Sequence, residues 1–187
     1  MKNCEVQETE ENISDTRFSP KSPLRILVPT LAVLLGLLVY QSFRPTEYDE
    51  FIGQNFDYSG VSYTGKVINR ESLRGSVVVV NFWATYCPFC LEDIEHLKEL
   101  QQELRHHDFK ILGITSDTRE SLNDFFQARE TLPWASLYGR DAASLGKTYK
   151  VSTIPRVMLL DRDGTIIAVA RGINDIKSRL LEMVYNG

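Results

Sequence analysis

The chain has 187 residues, 43% of them hydrophobic and 25% charged, which suits one compact domain with additional sequence and excludes disorder throughout. A formal net charge of -4, with basic residues spread along the chain, leaves no electrostatic footprint of a nucleic-acid binder. Three cysteines are too few for a disulfide-stapled scaffold, and Cys4 lies far from the pair Cys87 and Cys90.

Residues 1–22 are polar, mixed in charge and without periodicity, and read as a disordered tail. From Ile26 to Tyr40 the chain reads ILVPTLAVLLGLLVY, uncharged and almost wholly apolar, with Pro29 near the start, where a helix's first turn tolerates proline. At ~1.5 Å per residue this run covers roughly 25 Å, slightly short of a ~30 Å hydrocarbon core, with Tyr40 and Phe43 suited to the far interface. A cleaved signal peptide normally opens on a short basic stretch and closes on small residues, whereas here a long polar stretch precedes the run and LVYQSF follows it. A buried core helix would keep a polar face, and none is visible. Residues 23–43 are therefore expected to form an uncleaved transmembrane signal anchor. Arg17, Lys21 and Arg25 before it, against Arg44 alone just after it, keep the N-terminus in the cytoplasm and place the rest in the periplasm or outside the cell. Disulfides persist there.

Residues 44–54 read as a tether, and residues 55–187 as the folded domain. FDYSGVSYTGKVINRESLRG has the alternation and glycine punctuation of a β-hairpin followed by a helical turn. GSVVVVNFWA is continuously apolar and β-branched, the pattern of a strand covered on both faces. Ile94, Leu97, Leu100 and Leu104 then mark the buried stripe of a helix. FKILGITS predicts a second strand, followed by a helix carrying Leu122, Phe125 and Phe126. A short strand at ASLYG, a helix around Ala142 to Tyr149, strands RVMLL and TIIAVA joined by a DRDG turn, and a helix from about Asn174 complete the chain. This alternation predicts a three-layer α/β domain.

Cys87 and Cys90 form a C-x-x-C at a strand-to-helix corner. Unpaired amides and the positive end of the helix dipole favour a thiolate on the first cysteine, and the two-residue gap lets the sulfurs bond. Cys87 is the expected nucleophile and Cys90 the resolver. A structural zinc site needs about four ligands, for which only His96, His106 and His107 remain, and inert core cysteines fit the corner marked by Tyr86 and Pro88 poorly.

The stretches VVVVNFWATYCPFC and STIPRVMLLDRDGTI together resemble the thioredoxin superfamily, and within it the membrane-anchored TlpA/ResA-type thiol-disulfide oxidoreductases, over about residues 50–187. The resemblance implies a central mixed sheet flanked by helices, with an N-terminal β-hairpin extension and one preceding transmembrane helix. It implies that Cys87 attacks a client disulfide, that Cys90 resolves the mixed disulfide, and that the two form a redox-active disulfide. It further implies that Pro155 is a cis-proline beside the dithiol, with the Ile154 backbone pairing with the client. Tyr86, Pro88 and Phe89 complete the expected client surface. Asp93 stands where the TlpA/ResA type often carries a glutamate, one helical turn from Cys90. It reads equally as a proton acceptor for the resolver and as a solvated acid among Glu92, Glu95 and Glu99.

Departures from the family pattern are Asn81 at the place of a buried aspartate, Tyr86 for tryptophan, Phe89 in the dithiol, Glu95 for a helix proline and Arg156 after the cis-proline. No cofactor is implied. The expected partners are cysteine-containing proteins outside the cytoplasm and a membrane electron donor. Without histidine between the cysteines to stabilise the thiolate, a reductant is the favoured direction, with cytochrome c maturation one family role. Two other readings share the scaffold: a thiol peroxidase, whose P-x-x-x-T-x-x-C is not matched around Ala84, and a copper chaperone, whose distant histidine is missing after His107.

Overall fold

The computed structural model describes residues 24–42 and 48–186. It divides into two compact units, Met1–Arg44 and Pro45–Gly187. The described part of the first is helix α1, Leu24–Ser42, which is longer than the apolar run and takes in Arg25. Pro29 therefore lies inside the helix rather than in its first turn, with Leu24 to Val28 already helical ahead of it. Val33, Leu34, Leu35, Leu37, Leu38 and Val39 are all exposed, and such consecutive positions point to every side of a helix. Among the described residues no helix is long and apolar enough to cross a membrane. The polar tail with Cys4, and Phe43, lie outside the described residues.

The second unit is organised by five strands: β3 (Val77–Phe82), β4 (Phe109–Thr115), β5 (Ala135–Tyr138), β6 (Arg156–Leu160) and β7 (Ile166–Ala170), in the order β5-β4-β3-β6-β7. β3, β4 and β5 run parallel, while β6 is antiparallel to β3 and β7 to β6, so the sheet is mixed. Every residue of β3 is buried, as its unbroken valine run requires of a central strand covered on both faces. Ahead of the sheet, β1 (Ser59–Val61) and β2 (Val67–Asn69) form the expected hairpin, turned at Gly65 with φ of 83°. Asn69 then caps the four-residue helix α2 (Arg70–Leu73) in a reciprocal capping box with Ser72.

Helices cover both faces. Ile94, Leu97 and Leu100 of α3 (Pro88–Glu103), Leu122 of α4 (Arg119–Gln127) and Leu180 of α6 (Lys177–Asn186) join Val77, Val79 and Val157 in one core. On the opposite face, Ala142 of α5 (Gly139–Thr148) meets Val78, Val80, Met158, Phe56 and Leu73. With Glu95 in place of a proline, α3 runs unbroken for 16 residues.

Two boundaries differ from expectation. Tyr48 and Phe51, expected in a tether, are buried in the second core. Phe51 meets Tyr149 edge-on with ring centroids 5.5 Å apart, and Gly53 and Gln54 exchange backbone hydrogen bonds with Ile166. At the other end, a 3-10 turn at Ile173–Asp175 precedes α6. Side chains three apart align in such a turn, and this one sends both Ile173 and Ile176 into the core.

Candidate active site

The dithiol stands where β3 hands over to α3. Trp83 continues the strand pairing by donating its N–H to the Ile114 carbonyl at 3.0 Å, and its ring packs in the core against Phe125. The chain then turns, and the Cys87 N–H bonds back to the Ala84 carbonyl at 3.2 Å. Cys87 is the N-cap of α3, with Pro88 in the first turn, where the missing N–H costs no helical bond. Its Sγ accepts the Cys90 N–H at 3.2 Å, so an orphan amide of the helix end points at the sulfur expected to carry charge. Cys87 and Cys90 are joined in a disulfide, with Cα atoms 5.2 Å apart.

Burial is steeply graded across this corner. Cys90 is fully buried and Cys87 is 7% exposed, whereas Tyr86 is 75% and Phe89 72% exposed. Both aromatics, expected from the sequence to meet clients, project into solvent. The Ile154–Pro155 bond is cis, and Ile154 and Pro155 line a cavity of about 550 Å³ together with Phe89, Asp93 and His96. Next in the chain, Arg156 pairs with Phe82 across the sheet, which fixes this loop beside the end of β3. Its guanidinium lies 4.2 Å from the centre of the Tyr48 ring and donates to Thr153 Oγ1 at 2.8 Å.

Of the two readings of Asp93, the solvated one describes Glu92, Glu95 and Glu99, which are exposed, and does not describe Asp93, which is only 8% exposed. Asp93 Oδ2 accepts the Ile173 N–H at 3.3 Å. The carboxylate lies so close over Gly172 that a Cβ built there would sit 3.0 Å from Oδ1, so glycine makes room for it. Burial pushes the Asp93 carboxyl above its ordinary range, with the Ile173 amide opposing. Such a carboxylate binds a proton more readily than its exposed neighbours do. Asn81, on β3, is fully buried, and neither its Oδ1 nor its Nδ2 has a hydrogen-bond partner among the described residues.

Sequence reasoning missed Asp117. Its Oδ2 accepts the Thr85 N–H at 2.7 Å and the Thr115 hydroxyl at 2.9 Å, bracing the turn that leads into Cys87. The available signal was Thr-x-Asp just past the carboxyl end of a parallel strand, where α/β sheets gather their functional groups. Among the described residues no three His, Cys, Asp or Glu side chains come together as a metal site would need.

The Redoxin family matches this chain over residues 50–183. The chain belongs to the Redoxin family. Within that family it is a TlpA/ResA-type member of the thioredoxin superfamily and a thiol-disulfide oxidoreductase. It is 25% identical over 143 residues to the thiol-disulfide oxidoreductase ResA of Bacillus cereus, covering 76% of this chain and 82% of that one. It is likewise 25% identical over 167 residues to the thiol:disulfide interchange protein DsbE of Vibrio cholerae, covering 82% and 87%. Among solved structures, a thiol-disulfide oxidoreductase from Bacteroides fragilis superposes with a TM-score of 0.61 at 27% identity, covering 70% of this Redoxin chain and all of that one.

Proposed function

We propose that this Redoxin protein is tethered to the membrane, faces away from the cytoplasm, and reduces disulfides of client proteins. The observation that carries the exchange chemistry is Cys87 at the helix N-cap, its Sγ already receiving an amide N–H, beside the cis-proline loop. In the reaction the Cys87 thiolate attacks one sulfur of a client disulfide and the other client sulfur leaves as a thiolate. Cys90 then attacks Cys87 Sγ, frees the reduced client and leaves the intramolecular disulfide. Two electrons have passed to the client, and a membrane dithiol donor must return them. The oxidised form seen here is the end point of that turnover.

Asp93 is suited to take the Cys90 proton as the resolver attacks and to return it on re-reduction, since burial keeps its proton affinity high. The tether rests on the uncharged run from Ile26 to Tyr40 and on the Lys and Arg residues ahead of it.

The test is a Cys90→Ser chain in its native membrane, which should accumulate mixed disulfides through Cys87 with proteins identifiable by mass spectrometry. Absence of any trapped protein, with Cys87 reduced and accessible, would overturn client exchange. Release of the wild-type chain by alkaline extraction would remove the tether and leave the dithiol chemistry standing. A measured reduction potential well above that of the cell's dithiol donors would reverse the direction from reductant to oxidant.

A further inference from the structure

Thr153 and Ile154 line two cavities, each of about 550 Å³, and so form a ridge between them. The cavity on the α5 side has an apolar floor that includes Phe82, Ile114, Ala142 and Val151, and the charged residues lining it are Lys147 and Lys150. Lys150 is bridged to Glu50 at 2.6 Å, which leaves Lys147, exposed in the last turn of α5, as the principal cation of that rim. The cavity on the other side carries Glu92, Asp93 and Asp175 against Arg171 and His96, an excess of acid. A chain of net charge -4 thus sets a basic rim on one side of its cis-proline ridge and an acidic one on the other.

We propose that this polarity selects and orients clients: an extended segment lies across the Thr153–Ile154 ridge with an acidic side chain over Lys147 and a basic one over Glu92 and Asp175. The inference rests on the client-exchange reading above and adds the chemistry of the client. In an extended segment, residues two before and two after the reacting cysteine share a face, with roughly 13 Å between them at ~3.3 Å per residue. Charges at those two positions can reach opposite sides of the ridge, and the apolar floor accommodates the stem of the acidic residue or a neighbouring aliphatic group.

The experiment uses the full-length reduced chain in detergent and two peptides of identical composition. Each holds one cysteine as a mixed disulfide with thionitrobenzoate. One has Asp two residues before the cysteine and Lys two after, and the other has the charges exchanged. Thiol attack releases the yellow thiolate, which reads the rate directly. The two peptides should differ by roughly two- to fivefold at low salt, the scale of one exposed ion pair, and the difference should shrink as salt is added. The faster peptide gives the direction in which the client runs. In Lys147→Glu the preference should shrink or invert, a ratio that does not depend on the variant's overall rate. Equal rates for the two peptides in the wild type, or a preference that Lys147→Glu leaves intact, would overturn the proposal while leaving client exchange in place. Failure of both peptides to react would overturn the exchange reading itself.

Discussion

Tyr86 and Phe89 on one side, and Cys90 and Asp93 on the other, lie within eight residues of chain yet occupy opposite environments. The first two project into solvent, and the second two are sealed by α3, the Gly172 backbone and the sheet. The contrast separates two tasks. In the proposed exchange reaction the rim selects which molecules reach Cys87, whereas the floor handles charge and protons once they do. Substitutions at the rim should therefore act on client choice, and those at the floor on pH dependence, resolution and stability.

The largest effects belong to the dithiol, where rim and floor meet. Cys87→Ser should reduce disulfide exchange to background in an insulin-reduction assay, and Cys90→Ser should retain the first attack but stall as a mixed disulfide visible on a non-reducing gel. Retained turnover in Cys87→Ser would erase the assignment of nucleophile and resolver. Beneath the floor, Leu97→Ala removes a fully buried side chain and should cost about 2–5 kcal/mol in urea unfolding. A loss under ~1 kcal/mol would show that the core around α3 collapses to fill the gap.

Asp93→Asn tests the floor by pH. Because burial raises the native pKa of Asp93, the folded chain binds more protons than the unfolded chain between the ordinary carboxylate pKa and the raised one. Wild-type stability should fall as pH rises through that window, and the asparagine variant should lack this component. The variant is thus expected to melt higher than wild type at pH 7, with the gap closing in acid below the ordinary carboxylate value. Parallel melting curves across pH would place the carboxylate in solvent. Release of mixed disulfide should also be slower in the variant, and unchanged exchange rates across pH would remove Asp93 from the chemistry.

The smallest effects belong to the rim. Tyr86→Ala and Phe89→Ala should lower the ratio of rates on a protein client to rates on a small disulfide by roughly two- to fivefold, the range of most single interface truncations. Equal losses on both substrates would mean that these rings tune the thiolate rather than meet the client.

The sequence made the centre of the molecule legible because its signals are local. The valine run of β3, the apolar stripe of α3 and the C-x-x-C at their junction each span a few consecutive residues, and strand–helix alternation announces a layered α/β domain. What escaped depends on partners distant in the chain. Asp93 looks like its exposed neighbours until Gly172 and Ile173 close over it. Asp117 has no signature beyond a strand end until its carboxylate meets the Thr85 amide. Tyr48 and Phe51 are isolated aromatics in a polar stretch, without periodicity to announce burial. Pro29 fell inside α1 because the helix begins upstream of the uncharged run from which its start was read.

The ring of Tyr48 over the Arg156 guanidinium has a practical consequence for dissecting the protein. A chain cut back to Asn55 would keep every strand and the dithiol, yet strip the aromatic cover from a cation that is 6% exposed and adjoins the cis-proline. It would also remove Phe51 from the edge of Tyr149. A desolvated cation–π contact contributes about 2 kcal/mol, and a buried cation stripped of its neighbours costs more than the contact alone. A fragment meant to keep the native Thr153–Pro155 loop should therefore begin ahead of Tyr48.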